Sequence, residues 1–206
     1  MRSDVLKIGV LASGSGTNLQ AIIDSIEEGR LHAEIACVLS NNSDAFALER
    51  AKRYGIPSLH IDHRLAASRE AYDAALVETL AGYGVVLVVL AGFMRIITPV
   101  LLDAFPYAVM NIHPALLPAF PGLHAQRQAI DYGVKVSGCS VHFVDAGTDT
   151  GPIIIQSTVP VLEDDSESSL SARILIEEHR IYPEAIRLFA EGRLKVEGRK
   201  VVIAPE

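Results

Sequence analysis

The stretch VLKIGVLASGSGTNLQAII at residues 5–23 decides the fold. Its first eight residues are apolar enough for a buried strand. Beyond a glycine-rich turn, apolar residues recur at the spacing of a helix, which Gly29 ends. A strand followed by a glycine turn and a helix is the opening unit of a parallel α/β fold.

The same alternation continues through the first half of the chain. Strands are predicted over 33–40, 58–61 and 85–93, and helices over 44–55 and after Ser68, which can cap a helix. The run VVLVVLAGF at 85–93 is apolar throughout, which is typical of strands covered on both faces. This rhythm predicts a doubly wound, mostly parallel sheet that binds ligands at the carboxyl ends of its strands.

The second half of the chain predicts a mixed sheet. YAVMNI and GCSVHFV are typical of strands, and LKVEGRKVVI is typical of a closing hairpin. GPIIIQSTVPVL is predicted to be an edge strand because Pro160 interrupts it. A long helix is predicted over 166–191, which Pro183 should kink or break. Because no linker interrupts the chain, we predict a single domain over 1–206.

Composition narrows the class of protein. The 206 residues carry a formal net charge of −7 and no basic run, which argues against non-specific nucleic-acid binding. The longest apolar run is too short to span a bilayer, and Met1 to Gly14 do not form a signal peptide. Cys37 and Cys139 have apolar, strand-like neighbours, so we predict buried free thiols. We therefore expect a cytoplasmic protein without a nucleic-acid or membrane partner.

The glycine-rich turn predicts a phosphate site. Gly14 and Gly16 allow close approach of a ligand to the backbone, and the following helix offers unpaired N–H groups and its positive dipole end. Thr17 and Gln20 have the spacing of a capping box. Leu19 occupies the third glycine position of the dinucleotide fingerprint, and no Walker lysine follows, so a mononucleotide or sugar phosphate is favoured over NAD. A tight turn without a ligand is the alternative.

A polar pair ends the strand that precedes a proline-rich loop. In VMNIHPALLPAFPGLHAQ, residues 109–126, Asn111 and His113 occupy alternate positions and therefore project to the same side of a strand. An amide can hold a carbonyl oxygen, and an imidazole can transfer a proton or stabilise an oxyanion. Three prolines then stiffen the loop. A hydrogen-bonded pair beside a rigid turn, without catalytic function, is the alternative.

The segment VHFVDAGTDTGPIIIQ at 141–156 supplies a carboxylate. Asp145 and Asp149 both lie in its Gly- and Thr-rich loop, and the residues alone do not decide between them. A carboxylate beside His113 would favour the imidazolium and raise the pKa of His113. An amide, an imidazolium and a carboxylate together suit acyl-type transfer without a covalent enzyme intermediate.

The segments NIHPALLPAFPGLHA, VHFVDAGTDTGPIIIQ, GSGTNLQAII and VVLAGFMRI carry a family resemblance. From about residue 7 to about residue 195, the chain resembles the phosphoribosylglycinamide formyltransferases of purine synthesis. The resemblance implies a Rossmann-like formyltransferase fold. It also implies transfer of a formyl group from 10-formyltetrahydrofolate, the co-substrate, to the amine of 5-phosphoribosylglycinamide. Both ligands are small molecules, no metal is expected, and the chain is expected to be a monomer or homodimer.

The resemblance also assigns site residues. It implies that Asn111, His113 and Asp149 are catalytic, which leaves Asp145 as a loop or capping residue. The phosphate site is expected in the N-terminal half and the folate and catalytic site in the C-terminal half. The residues implied in binding the ribonucleotide are Gly16, Thr17, Asn18 and, at the ribose, Glu178, although Glu177 is adjacent. The residues implied in binding the folate are Arg69, Met94, Arg95, Ile96, Ile97 and Asn111.

Three other histidine and amide positions stay open. His142 either borders the amine site or is a packed strand residue. His124 and Gln126 lie either near the substrate or on the surface.

Rival functions share parts of this pattern. Methionyl-tRNA formyltransferase and the hydrolase that deformylates formyltetrahydrofolate resemble this core but carry further domains, for which we expect no space in this chain. A non-catalytic phosphate-binding module explains the glycine turn but gives Asn111, His113 and Asp149 no function.

Overall fold

The computed structural model describes residues 5–205. Residues 1–4, which belong to the segment interpreted above as lacking a signal peptide, lie outside the described residues. The described chain separates into two compact units that divide after Met110. The single domain over 1–206 stays a prediction.

The first unit alternates strands and helices as predicted. Its strand order is β3-β2-β1-β4-β5, and the β1–β2, β1–β4 and β2–β3 pairs are parallel. The element bounds are β1 Leu6–Leu11, α1 Thr17–Glu27, β2 Ala33–Ser40, α2 Phe46–Arg53, β3 Ser58–His60, a short 3-10 helix His63–Leu65, α3 Arg69–Gly82, β4 Leu87–Leu90, α4 Pro99–Ala104 and β5 Val109–His113, which continues into the second unit. Because β1 is followed by β2 on one side and β4 lies on the other, the strand order reverses at β1. Such a switch point is where open α/β sheets bind ligands.

Two helix starts in this unit have different causes. The Ser68 hydroxyl accepts a hydrogen bond from Ala71 N at 3.1 Å and caps α3, as predicted. The predicted capping box at Thr17 and Gln20 is wrong, because the N-cap of α1 is Gly16. Gly16 has φ 68°, a left-handed conformation that favours glycine, and Thr17 already lies inside the helix.

The second unit contains the mixed part of the sheet. The strand order is β5-β6-β7-β9-β8, in which β6–β7 and β8–β9 are antiparallel and β7–β9 is parallel. The helix α6 packs on β6 and β7 and buries its apolar face there. The element bounds are α5 Ala125–Tyr132, β6 Val136–Phe143, β7 Ile153–Pro160, α6 Glu167–Ala190, β8 Leu194–Glu197 and β9 Lys200–Ile203.

One proline-based expectation for this unit is corrected, and the other is corrected in part. The strand β7 is not an edge strand, since it lies between β6 and β9. Pro160 is its last residue and pairs only with Val136 of β6, so its missing N–H interrupts no inner ladder. Pro183 does not break α6, because Pro183 and its neighbours Ile181 and Tyr182 are buried in the core and their packing outweighs one lost backbone hydrogen bond. A kink at Pro183, the other expectation, stays a prediction.

Two observations bear on the wider class of protein. Within residues 5–205, no helix combines the length and apolar character that crossing a bilayer requires. Cys37 and Cys139 are buried free thiols, as predicted.

The contact between β6 and β7 leaves no space for a side chain at Gly138. A Cβ there would lie 1.9 Å from Ser157 O and 2.9 Å from Leu116 Cδ2. We expect Gly138→Ala to lower the free energy of unfolding by about 1–3 kcal/mol or more, because the strands must separate. Gly82→Ala is the control, since its Cβ would meet nothing within 4 Å at the end of α3. Urea denaturation measures both, and equal stabilities would contradict this packing.

Candidate active site

A cavity of about 220 Å³ lies beyond the carboxyl end of β1, at the switch point of the first unit. The residues predicted to bind phosphate, Gly16, Thr17 and Asn18, all line it. Met94 of the predicted folate stretch lines it as well. The remaining lining residues are Ser13, Gly14, Ser15, Ala91 and Gly92.

The backbone of this glycine loop is held close to α2. Ala47 N donates to Gly14 O at 3.1 Å, and a Cβ on Gly16 would lie 2.8 Å from both Cα and Cβ of Ala47. Glycine at 16 therefore satisfies both the left-handed φ and the close approach. The result is a turn in which the first residues of α1 line the cavity, and the unpaired N–H groups of a helix start favour an anion.

A cation that the sequence did not predict lies beside the loop. Arg50 on α2 donates from Nε to Ser15 O at 2.9 Å and from Nη1 to Gln20 Oε1 at 3.0 Å. Its guanidinium also lies 4.9 Å from the ring centroid of Phe46. Arg50 thus brings positive charge to the loop of an acidic chain, and no local sequence signal marks it because the contact joins separate elements.

The predicted folate residues lie on α3 and on the irregular segment after β4. Met94 and Ile96 are 66% and 64% exposed, whereas Ile97 is buried. The Arg95 guanidinium lies 5.9 Å from the ring centroid of Tyr72 on α3. Arg69 is the exposed first residue of α3. The exposed apolar side chains offer a surface for an aromatic ligand.

A polar cluster forms in the second unit at the end of β5. His113 Nδ1 lies 3.3 Å from Asp149 Oδ2, and Asn111 Nδ2 lies 3.5 Å from Asp149 Oδ1. The structure therefore brings together the three residues predicted to be catalytic. Asp145 is not part of the cluster, since its Oδ1 accepts from Gly147 N at 3.1 Å and from the Thr150 hydroxyl at 2.6 Å.

The proline-rich loop supplies the remaining partners of this cluster. His113 Nε2–H donates to Phe120 O at 2.8 Å, and Gly122 N donates to Asp149 Oδ2 at 2.8 Å. Ser140 on β6 holds the loop, because its hydroxyl donates to Ala115 O at 2.7 Å. The loop after His113 therefore positions both the imidazole and the carboxylate.

The pKa of His113 is lower than its ordinary value, and this corrects the expectation of a raised one. Burial lowers the pKa because it disfavours the imidazolium. The hydrogen bond to Phe120 O and the charge of Asp149 act in the opposite direction without reversing the result. For Asp149, burial raises the pKa, but His142, Gly122 N–H and His113 together bring it below the ordinary value.

His142 is a packed residue of β6, as one of the two alternatives predicted, and it also contacts the cluster. It is buried on β6, and its Nδ1–H donates to Phe143 O at 2.8 Å. Its Nε2 lies 3.2 Å from Asn111 Nδ2 and accepts a hydrogen bond from that amide when the ring is neutral. The same Nε2 lies 3.6 Å from Asp149 Oδ1. His142 thereby orients the amide of Asn111.

The adjacent acids on α6 have different surroundings. Glu177 accepts from the Ser157 hydroxyl at 2.6 Å and pairs with Arg180 at 2.7 Å. Glu178 is buried. His124 is largely exposed, and its Nδ1 lies 3.8 Å from Glu167 Oε1. Gln126 is half-buried on α5. Within residues 5–205, no group of three or more His, Cys, Asp or Glu side chains is arranged to hold a metal ion.

Comparison with known proteins identifies the relatives of this chain. Residues 6–186 match the formyl transferase family. Phosphoribosylglycinamide formyltransferase of Escherichia coli is 47% identical over 191 residues, which cover 93% of this chain and 90% of that protein. A solved structure, glycinamide ribonucleotide transformylase 1 from Symbiobacterium toebii, is 61% identical with a TM-score of 0.97, covering 98% of this chain and 95% of that chain.

A longer relative contains the same region. The trifunctional purine biosynthetic protein adenosine-3 of Drosophila melanogaster is 47% identical over 188 residues, which are 90% of this chain but only 14% of that protein. The match over most of the chain, together with the shared fold, shows that this chain belongs to the formyl transferase family.

Proposed function

We propose that this chain transfers a formyl group from 10-formyltetrahydrofolate to the amine of 5-phosphoribosylglycinamide, in purine biosynthesis. The observation that carries the proposal is the cluster of Asn111, His113 and Asp149. Asn111 Nδ2 and His113 Nδ1 both lie within 3.5 Å of the Asp149 carboxylate. An amide donor, an imidazole and a carboxylate are the groups that acyl transfer to an amine requires. Family membership supports the same chemistry.

The substrate phosphate is assigned to the glycine loop of the first unit. Backbone N–H groups at Gly16, Thr17 and Asn18 bind it, and Arg50 adds local positive charge. Glu178 is assigned to the ribose. The ion pair of Glu177 with Arg180 supports this choice, because it already engages the adjacent acid.

The folate is assigned to the segment Met94–Ile97, with Arg69 at the glutamate tail and Asn111 at the formyl oxygen. The exposed Met94 and Ile96 side chains support contact with an aromatic ring. Under this proposal the protein acts in the cytoplasm as a monomer or homodimer. The buried free thiols of Cys37 and Cys139 fit a reducing compartment.

The transfer forms one C–N bond and breaks another. The substrate amine attacks the formyl carbon, and the C=O electron pair moves to oxygen. Asn111 Nδ2–H stabilises this oxyanion, which is feasible because its 3.5 Å contact with Asp149 is long and easily exchanged for the substrate. The tetrahedral intermediate then expels N10 of the folate, and the proton lost by the amine ends on N10.

The proton is carried by the pair of His113 and Asp149. His113 is neutral at rest near pH 7, because burial lowers its pKa. Both ring nitrogens nevertheless face acceptors, Phe120 O and the Asp149 carboxylate. A proton taken from the amine can therefore reside on Nδ1 with Asp149 as its partner, and can be returned to the leaving nitrogen.

The proposed function is tested by following folate release. We expect the protein to release folate from 10-formyltetrahydrofolate only when 5-phosphoribosylglycinamide is present, and His113→Ala to reduce this rate by about 10²–10⁴. The exposed His32→Ala is the matched control and should keep the parent rate. Release without an acceptor would instead indicate the hydrolase. Phosphate binding without release would indicate a non-catalytic module.

Gly16→Ala tests the phosphate assignment. The added Cβ meets Ala47 and strains a left-handed φ, so the loop should shift and weaken the ribonucleotide more than the folate. Gly84→Ala is the control, because it places the same strain at φ 69° away from the cavity. Calorimetric titration of each ligand measures the effect. Equal loss of both ligands would reject the assignment.

Asp149→Asn tests the coupling between Asp149 and His113. Removing the anion should lower the pKa of His113 still further, whereas Asp145→Asn should leave it unchanged because Asp145 contacts only its own loop. NMR titration of His113 measures the pKa in parent and variants. An unchanged value in Asp149→Asn would show that the two groups are not coupled.

The lowered pKa of His113 also predicts how the free energy of unfolding depends on pH. The unfolded chain binds the His113 proton near pH about 6.5, and the folded chain only at lower pH. His113 therefore favours folding above that pH, and its contribution is lost as the pH falls below it.

A further inference from the structure

Hydrogen bonds hold the segment Met94–Ile97 at its two ends. It belongs to no helix or strand. Met94 N donates to the Ser13 hydroxyl at 2.8 Å, and Thr98 N, directly after the segment, donates to Asp73 Oδ2 at 2.5 Å. Across residues 5–205, no hydrogen bond is described for the backbone N–H or C=O groups of residues 95–97. These groups are therefore open to a ligand, and their arrangement depends on the two end contacts.

Asp73 is an unusual residue for its place on α3. It is only 2% exposed, among the buried apolar side chains Leu76 and Leu80 of the same helix. Burying a carboxylate is unfavourable, and an apolar residue of similar size usually stabilises a core as well or better. Burial raises the pKa of Asp73, and the Thr98 N–H opposes that shift. The observed partner, Thr98 N–H, points to a role in holding the segment.

A second contact from α3 acts on the same segment. Tyr72, the neighbour of Asp73, lies under the guanidinium of Arg95. The distance from Arg95 Cζ to the Tyr72 ring centroid is 5.9 Å. The helix α3 thus contacts the segment both at its middle and at its end. Neither Tyr72 nor Asp73 lines the cavity beyond β1 to which the substrate phosphate is assigned, called here the phosphate cavity.

We propose that Asp73 is a positioning residue for folate binding, which holds Thr98 N–H so that the open backbone groups of residues 95–97 keep one arrangement toward the pterin ring. The inference rests on the proposed function, since that function assigns the segment to the folate. Fixing the segment before binding removes part of the ordering cost that the ligand would otherwise bear. Ser13 has the corresponding place at the other end, but it also lines the phosphate cavity and donates to Asn41 Oδ1 at 2.5 Å.

Asp73 therefore gives the cleaner test. We expect Asp73→Ala to raise the Kd for 10-formyltetrahydrofolate about tenfold or more, as the loss of a charge-assisted hydrogen bond implies. The Kd for 5-phosphoribosylglycinamide should stay within about twofold of the parent, since the cavity does not involve Asp73. In steady-state assays the KM for the folate should rise more than kcat falls.

The conservative variant distinguishes positioning from general damage. Asp73→Asn keeps an acceptor for Thr98 N–H but forms a weaker bond, so the folate Kd should rise by about threefold. Glu78→Ala, an exposed acid on the same helix, is the matched control and should bind both ligands as the parent does. Calorimetric titration and thermal melting are measured on every variant.

Each outcome decides between the explanations. A folate Kd in Asp73→Asn equal to the parent's overturns the inference, even where Asp73→Ala does not fold. A parallel rise in the ribonucleotide Kd also overturns it, because general damage would then explain both. If the parent itself binds no folate, the proposed function fails instead.

Discussion

The second unit depends on one constraint: a buried imidazole with an acceptor at each ring nitrogen. Phe120 O faces Nε2 of His113 at 2.8 Å, and the Asp149 carboxylate faces Nδ1 at 3.3 Å. For both acceptors to be present, the proline-rich loop must close over the end of β5, and the loop after β6 must reach the same point. Gly122 N–H, which donates to Asp149, joins these two loops. Burial lowers the pKa of this imidazole, while the hydrogen bond to Phe120 O and the charge of Asp149 oppose that shift.

The glycine loop of the first unit lies in a chain of negative net charge. With a net charge of −7, the chain as a whole repels anions, so the proposed phosphate ligand would have to be attracted by local geometry. The glycine loop provides that geometry, because Gly16 lies against Ala47 and starts α1 directly at the cavity. Arg50 reinforces it from α2. An anion site of this kind acts over a short range, which suits selection of a phosphate at one end of a small ligand.

Much of the fold follows from local periodicity. Each strand and helix predicted for residues 5–90 exists, with bounds that differ by a few residues, because burial patterns repeat at two or 3.6 residues. The short helices α4 and α5 were not predicted: α4 has only six residues, and α5 follows directly on the proline-rich loop. The edge strand predicted from Pro160 and the helix break predicted from Pro183 were wrong for the same reason. Local rules for proline count one lost hydrogen bond, whereas strand order and core packing decide whether that loss matters.

The sequence by itself determined the alternation of strands and helices, the glycine loop before α1, and the pair Asn111 and His113 on one side of a strand. These features depend on residues that are neighbours in the chain. Local pattern left Asp145 and Asp149 open, the family resemblance chose Asp149, and the tertiary structure places Asp149 beside His113. Only the tertiary structure decided that burial lowers the pKa of His113 and that Asp73 accepts a hydrogen bond from Thr98 N. Those outcomes depend on desolvation and on contacts between distant segments, which no local pattern encodes.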